Sequence, residues 1–261
     1  MKKIALISCI LLVFTFMFTV SACNSDDWNY EYNGMTFWLI KHETEDGEKD
    51  YYYMAGNLHD KDVVNYFIPM TINGYPVREF GYARFTNPGA GTIYLRDLSL
   101  QKLYMPSTII GQGYNYEYLS GVHQDMQIYY CGEVIDLYPI YPYDSNHKID
   151  YYVPLERFDQ FENALGTEST FKPTTSHLYK ANISYRLNSE DMCEYYYVDN
   201  IEAGSKIVNI PPEPTRAGYT FGGWYTEKEC VNKWNFNNVP TVSNNDDSFV
   251  EFRLYAKWTK K

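Results

Sequence analysis

The chain has 261 residues and a formal net charge of -11, from 33 acidic and 22 basic side chains. A chain this acidic lacks the positive surface that attracts nucleic acid or bare anionic lipid, so neither is expected as a direct partner. Tyrosine is the compositional outlier, with 28 residues beside 14 Phe and 5 Trp. Because tyrosine favours strands and combines an apolar ring with a polar tip, this content favours sheets and recognition surfaces.

The first 22 residues have the layout of a secretory signal peptide. A short cationic start, Met1-Lys2-Lys3, precedes an apolar run over residues 4–20, and small residues then lead to Cys23. This run is short and flanked like a signal peptide rather than a spanning helix. The tetrapeptide Val20-Ser21-Ala22-Cys23 resembles the lipobox of bacterial lipoproteins.

The lipobox resemblance implies that Cys23 becomes the first residue of the mature protein and carries a diacyl lipid. Two acyl chains give stable membrane anchoring, whereas one gives only reversible binding. We therefore expect an extracytoplasmic protein that contacts the membrane through lipidated Cys23, with residues 23–34 as a polar tether. An ordinary secretory signal with Cys23 incidental is the alternative that stays open.

The first folded segment is predicted to be a β-hairpin. Two β-rich runs, residues 35–41 and 50–55, flank an acidic loop that contains Asp46-Gly47, a dipeptide typical of tight hairpin turns. The loop at residues 43–50 lacks the D-x-D-x-D-G spacing of a calcium site, so a solvated turn is expected there.

Residues 63–85 contain a regular succession of predicted short apolar strands and turns. Pro69 ends a strand because it has no N–H for a ladder, and Asn73-Gly74 makes a tight turn before Val77. These residues resemble the opening of a BspA-type leucine-rich repeat domain. The resemblance implies a solenoid of short parallel strands.

The period that a solenoid requires can be followed along the chain. Residues 103–106, 128–131 and 151–154 align at intervals of 25 and 23 residues, and Ile68-Pro69 lies 37 residues before Met105-Pro106. Residues 92–95 would be a further rung.

The repeats are expected to end in a helix. Residues 153–161 predict a strand followed by an amphipathic capping helix. Residues 35–165 are thus predicted to form a degenerate leucine-rich repeat domain, with a generic mixed β domain as the alternative.

A linker is predicted at residues 166–178, rich in small polar residues. Residues 183–187 and 195–198 beyond it are predicted strands, and residues 201–210 a turn with a further short strand. The segment from Pro211 to Trp258 then contains Gly-Tyr-Thr-Phe-Gly-Gly-Trp-Tyr-Thr and ends on Leu-Tyr-Ala-Lys-Trp.

This pattern resembles a Listeria–Bacteroides repeat, the B-repeat of internalins, which implies a small β-grasp-like module at residues 179–261. Its core is predicted to contain the aromatic residues of the pattern, since a module this small needs bulky side chains to be stable. These are Tyr219, Phe221, Trp224, Trp234, Phe236 and Trp258.

No catalytic, cofactor or metal motif stands out. The five histidines are scattered, and no nucleophile elbow, phosphate loop or dinucleotide fingerprint is present. Beyond Cys23 the cysteines are Cys131, Cys193 and Cys230, without metal spacing. Cys193 and Cys230 would either pair as a disulfide or act as small apolar side chains.

The predicted fold is therefore mainly β (α+β), a degenerate leucine-rich repeat solenoid with a cap helix followed by a β-grasp-like module. The expected function is that of a non-enzymatic surface lipoprotein that presents protein- or glycan-binding modules for adhesion or envelope contacts. The candidate binding residues are the rung tyrosines Tyr66, Tyr94, Tyr104, Tyr129, Tyr130, Tyr151 and Tyr152.

Three alternatives remain open. In the first, these tyrosines only cover a solvated sheet and bind nothing. In the second, the protein is an envelope scaffold without a dedicated ligand. A glycan-acting enzyme is the third alternative, and it requires two carboxylates that face each other across a cleft.

Overall fold

The computed structural model describes residues 29–43, 47–58, 60, 62–80, 99–112, 120–122, 124–133, 141–142, 146–167 and 176–261. The predicted signal peptide, Cys23 and the predicted rung at residues 92–95, with Tyr94, lie outside the described residues. The described part is mainly β, as predicted, with a single α-helix. Within it, no helix is long and apolar enough to cross a membrane.

The strands before the helix form two larger sheets and one small one. They are β1 (Asn29–Tyr32), β2 (Met35–Glu43), β3 (Lys49–Leu58), β4 (Asn65–Phe67), β5 (Thr71–Ile72), β6 (Tyr75–Phe80), β7 (Lys102–Met105), β8 (Gly111–Gln112), β9 (Ser120–Val122), β10 (Met126–Tyr130), β11 (Tyr141–Pro142) and β12 (Ile149–Val153).

A short 3-10 helix, Leu155–Arg157, leads into the helix α1 (Phe158–Thr167), and five strands follow. They are β13 (Ser176–Lys180), β14 (Ile183–Arg186), β15 (Tyr195–Asp199), β16 (Tyr219–Tyr225) and β17 (Phe252–Lys260). A second short 3-10 helix, Asp246–Ser248, precedes β17.

The first sheet begins as an antiparallel meander, β1-β2-β3, and continues in parallel from β3 to β6. The predicted hairpin is confirmed. Strands β2 and β3 pair as far as Glu43, which lies opposite Lys49, and Gly47 in the connecting loop has a φ of 83°. The predicted turn at Asn73-Gly74 is also confirmed, since both residues have positive φ between β5 and β6. Residues 29–32 were expected within the tether, and the structure instead pairs them with β2.

The second sheet consists of five parallel strands in the order β13-β12-β10-β7-β4. Its register places Tyr66, Leu103, Ile128, Tyr151 and Leu178 side by side. The predicted intervals of 37, 25 and 23 residues are thereby confirmed, and β13 adds a strand 27 residues further on. Parallel neighbours need a crossover connection, and α1 lies within the connection between β12 and β13.

Strand β13 takes in the last three residues of the predicted linker, because Ser176–Lys180 pairs with β12 along its whole length. The predicted helix after residue 153 is confirmed, and its Phe161 is fully buried. Phe161 meets the ring of Tyr130 edge-on at 5.6 Å between centroids. This contact packs α1 against the face of the parallel sheet that belongs to the first core.

The two faces of the parallel sheet belong to two different cores, because successive side chains of a strand point to opposite faces. One face joins the first core with Phe37 and Phe161. Its sheet members include Tyr66, Leu103, Met105, Ile128, Tyr130, Tyr151 and Val153. The other face, with Tyr104, Tyr129 and Tyr152, joins a second core that is shared with β14, β15 and β17.

The last four strands form a sheet in the order β15-β14-β17-β16, with β14 and β17 parallel and the outer pairs antiparallel. The predicted strand within residues 201–210 is wrong, because this segment is irregular. In place of a ladder partner, the side-chain amide of Asn182 pairs with the backbone N–H and C=O of Ile201.

The predicted aromatic core of this sheet is confirmed for five of its six members. Trp224 is buried, and Phe221, Trp234, Phe236 and Trp258 pack against the same core while partly exposed. Tyr219 instead lies beneath the guanidinium of Arg216, 3.8 Å from its ring centroid.

Candidate functional site

An unbroken row of stacked rings, here called the aromatic ladder, runs across the parallel sheet. In-register pairing places one ring on each strand: Phe67, Tyr104, Tyr129, Tyr152 and Tyr179. Neighbouring ring centroids lie 4.0, 4.5, 4.9 and 5.3 Å apart in that order, all nearly parallel. Such contacts between adjacent strands stabilise a sheet by roughly 0.2–1 kcal/mol per pair.

The structure corrects the expectation that the rung tyrosines line an open face. Of the described candidates, none is more than 9% exposed: Tyr66, Tyr104, Tyr129, Tyr130, Tyr151 and Tyr152. Three of them, Tyr66, Tyr130 and Tyr151, lie in the first core, and the other three lie in the second. Burial is complete because each face of the sheet is covered by another layer.

Strand β15 is the layer that covers the aromatic ladder. The ring of Tyr197 meets that of Phe67 edge-on at 5.2 Å, and its hydroxyl donates to the carbonyl of Ile68. The thiol of Cys131 lies 3.3 Å from the carbonyl oxygen of Tyr196, and burial raises the pKa of this thiol far above its ordinary value. The parts on either side of residues 166–178 therefore share one core.

A buried carboxylate lies at the junction of the two parts, where β15 contacts the aromatic ladder. Asp199, at the end of β15, accepts hydrogen bonds from the Tyr104 hydroxyl at 3.0 Å and the Asn200 N–H at 2.9 Å, both at Oδ1. Its Oδ2 has no hydrogen-bond partner among the described residues. Burial raises the pKa of the Asp199 carboxyl to about 6, although the charge of Lys102 and the two hydrogen bonds act in the opposite direction.

A buried arginine forms the charged part of the junction. Arg186, which is 3% exposed, forms ion pairs with Glu156 at 3.1 Å, with Glu251 at 3.4 Å and with Glu194. Glu156 belongs to the 3-10 helix after β12 and also accepts from the Tyr195 hydroxyl at 2.8 Å. Burial acts to lower the pKa of Arg186, but its carboxylate partners outweigh this and raise it, so the guanidinium stays charged.

One accessible feature of the described residues is an open groove, here called the module groove, beside the irregular segment 206–210. Its volume is about 620 Å³, and it is lined by Lys206, Ile207, Val208, Ile210, Trp234, Asn235, Phe236 and Asn237. Val208 is 76% exposed and Ile210 is 45% exposed. The aromatic pattern predicts Trp234 and Phe236 primarily as core residues, although the apolar residues next to Pro211-Pro212 lie outside a strand and could have indicated a surface.

The described residues include no group of three or more His, Cys, Asp or Glu side chains that could hold a metal. Cys193 and Cys230 are free thiols in the structure, so the disulfide alternative is not the arrangement observed. Cys230 instead approaches the amide of Asn188, 3.4 Å from its Nδ2.

Residues 182–257 match the family model of the Listeria-Bacteroides repeat domain. The match begins at Asn182 and runs through β14, β15 and β16 into β17. It therefore includes the strand that covers the aromatic ladder, the buried Arg186 and the module groove. The predicted resemblance of this part of the chain is confirmed.

Proposed function

We propose that this protein is a non-enzymatic lipoprotein of the bacterial cell surface, anchored through lipid on Cys23. It holds a two-part binding head outside the membrane and engages a protein or carbohydrate partner. In this proposal the first part is a degenerate BspA-type leucine-rich repeat solenoid, and the second part is a β-grasp-like module.

The parallel sheet supports the solenoid assignment. Five short strands, each three to five residues long, follow one another in chain order with identical register. Each strand places one side chain in the first core and the next in the aromatic ladder, as stacked repeats do. The central parallel pair of β14 and β17, flanked by antiparallel strands, supports the β-grasp-like assignment.

The module groove is the observation that carries the binding function. Exposed apolar side chains beside Trp234 and Phe236 mark a surface of the kind that partners use. The described rung tyrosines are buried, so recognition falls on this groove rather than on them. Strands β14 to β17 hold the groove on a packed core.

The binding proposal is tested on a glycan and host-protein array with the full chain purified in mild detergent. A specific hit should weaken at least tenfold in Val208→Asp, because a charge in the groove opposes apolar contact. Val231→Asp is the matched control, since Val231 is 74% exposed and does not line the groove. Equal binding by both variants would place the site elsewhere.

The anchoring proposal is tested by metabolic labelling with an alkyne fatty acid. The wild-type protein should take up the label and partition with membranes, and Cys23→Ser should do neither. Labelling that persists in Cys23→Ser would contradict the lipid site.

A second candidate, an envelope scaffold without a dedicated ligand, is favoured by burial of the ladder tyrosines Tyr104, Tyr129 and Tyr152. The ladder and the Arg186 network serve in that case only to fix the two parts against each other. The absence of any specific hit on the array, with membrane anchoring intact, would favour the scaffold.

A further inference from the structure

Four tyrosines form a connected cluster at the rim of the first core, here called the tyrosine patch. They are Tyr30 on β1, Tyr51 and Tyr53 on β3, and Tyr75 on β6. Ring centroids lie 6.4 Å apart for Tyr30 and Tyr53, 6.5 Å for Tyr53 and Tyr75, and 5.8 Å for Tyr51 and Tyr75. Three strands of the first sheet therefore contribute one continuous aromatic surface.

The tyrosine patch extends from the core to the solvent. Tyr53 is 6% exposed and belongs to the first core, whereas Tyr30 is 36% exposed and Tyr75 is 41% exposed. Tyr51 is half-buried. Tyr53 thus holds the cluster in place, and its neighbours present apolar ring faces and phenol hydroxyls at the surface. In contrast to the described rung tyrosines, the outer members of the patch are accessible.

The charged side chains beside the patch are not predominantly acidic. Lys41 lies opposite Tyr51 in the register of β2 and β3, so it shares the face of the patch, and it is exposed. Two residues further along β2 on the same face, Glu43 lies opposite Lys49. These three side chains carry a charge of +1 together, although the chain as a whole is at -11.

The patch also lies close in sequence to the proposed lipid site. Tyr30 follows Cys23 by seven residues, and seven fully extended residues span at most about 25 Å. The pairing of β1 with β2 fixes Tyr30 opposite Phe37 in the first sheet. A lipid on Cys23 would therefore hold the β1 edge of this sheet within about 25 Å of the bilayer surface.

We infer that the tyrosine patch is a membrane-contact surface that packs against the headgroup region of a neutral phospholipid bilayer. This inference depends on the proposed lipid anchor at Cys23. Tyrosine is enriched at membrane–water interfaces, because its ring enters the apolar boundary while its hydroxyl stays among the headgroups. Lys41 extends the same contact, since an ammonium group on a long apolar stem reaches a lipid phosphate. The contact fixes the orientation of the folded part on the membrane, which a tether alone does not.

Distance and charge select this occupant. A soluble partner on the patch would have to fit into a space of about 25 Å or less beside the bilayer. Anionic lipid is disfavoured because the chain carries a charge of -11, whereas a zwitterionic phospholipid does not repel it. Contact with the bilayer removes the exposed ring faces of Tyr30 and Tyr75 from water. The patch is distinct from the module groove, whose lining residues all belong to the second part.

Fluorescence quenching by brominated phosphatidylcholine tests the inference, with the full lipidated chain reconstituted in vesicles of that lipid. The indole introduced by Tyr75→Trp, measured by difference from the wild type, should lose roughly half or more of its emission. Tyr179→Trp is the matched control, because Tyr179 is also 41% exposed. It lies on β13, at the opposite edge of the parallel sheet from β4, whose Tyr66 hydroxyl donates to the Tyr32 carbonyl of β1. The indole at position 179 should not be quenched.

A second variant separates contact through the patch from mere closeness to the anchor. Tyr30→Asp, added to Tyr75→Trp, should reduce the quenching about twofold or more, because a carboxylate resists transfer into the interface. Circular dichroism and thermal unfolding check that each variant keeps its fold. Equal quenching of the indoles at positions 75 and 179, or quenching unaffected by Tyr30→Asp, would overturn the inference. No quenching at position 75 would also overturn it and leave the patch open to a soluble protein or glycan.

Sedimentation with the vesicles judges the anchor separately. A chain that does not sediment with them would contradict the anchoring proposal, and this inference with it. A chain that sediments but shows no selective quenching at position 75 would remove this inference alone. Binding on the array is independent of both results, since it is assigned to the module groove.

Discussion

The hydroxyl of Tyr104 donates a 3.0 Å hydrogen bond to Asp199 Oδ1, across 95 residues of the chain. Tyr104 is the second ring of the aromatic ladder, and Asp199 ends the strand that covers it. Neither residue is exposed to solvent. This bond is one of several polar contacts between the two parts of the protein, beside those of Tyr197 with Ile68 and of Tyr195 with Glu156.

Tyr104→Phe should lower the free energy of unfolding by about 1–3 kcal/mol at pH 7.5, because a buried carboxylate loses a donor. Urea unfolding followed by circular dichroism measures the change. Tyr75→Phe is the control, since Tyr75 is 41% exposed and its substitution should have little effect. Equal stability of the two variants would show that the bond is not formed in solution.

Asp199 should make stability depend on pH. Its folded pKa of about 6 lies above the ordinary value of 3.8, so the folded state binds the proton more tightly. The resulting stabilisation is complete below about pH 4 and is lost as the pH rises through about 6. At pH 7.5 this carboxyl group therefore leaves the fold on the order of 3 kcal/mol less stable than it is below pH 4.

Asp199→Asn removes this titration while keeping an oxygen that can accept from Tyr104. The variant should be more stable than the wild type at pH 7.5, and the difference should shrink at pH 4.5. Urea unfolding at both pH values measures it. A variant that is less stable by the same amount at both would contradict the raised pKa.

Arg186→Leu should destabilise the protein by about 3 kcal/mol or more, because Glu251, whose side chain is 3% exposed, loses a buried partner. Arg253 still pairs with Glu251 at 2.7 Å, which limits the loss. Glu194→Gln is the control, since its side chain is 54% exposed and its pair with Arg186 should contribute less than about 1 kcal/mol. A cost for Glu194→Gln as large as that for Arg186→Leu would argue against a buried network.

Gly132, two residues after β10, lies where the backbone passes close to the carbonyl group of Ile109. A Cβ there would lie 2.3 Å from the Ile109 carbonyl oxygen, which cannot move away as a side chain could. Gly132→Ala should therefore lower the melting temperature, at a cost of about 1–3 kcal/mol. Gly222→Ala meets only the flexible side chain of Lys257, at 3.3 Å or more, and should be tolerated.

Local sequence signals predicted much of the fold. Asp46-Gly47 and Asn73-Gly74 identified their hairpins because those dipeptides suit the positive φ that a tight turn needs. The spacing of apolar residues around Leu103, Ile128 and Tyr151 identified three parallel strands. Strand β13 was missed because a short Ser-His-Leu-Tyr-Lys segment after a polar stretch resembles a linker.

The candidate site could not be predicted in the same way. Tyr129-Tyr130 and Tyr151-Tyr152 place an aromatic ring on each face of the sheet, so the sequence does not show which face is covered. The cover is β15, whose contacts with the ladder lie far away in the chain. The module groove was missed because Trp234 and Phe236 contribute to both a core and a surface.

Native-state hydrogen exchange measures most directly whether β15 closes the aromatic ladder. Amides of β10 and β15 should show similar, high protection in the wild type, because both lie in one shared core. In Tyr104→Phe the protection of both strands should fall together. Protection of β15 that falls while that of β10 stays unchanged would contradict a common core and would reopen the rung tyrosines as a binding face.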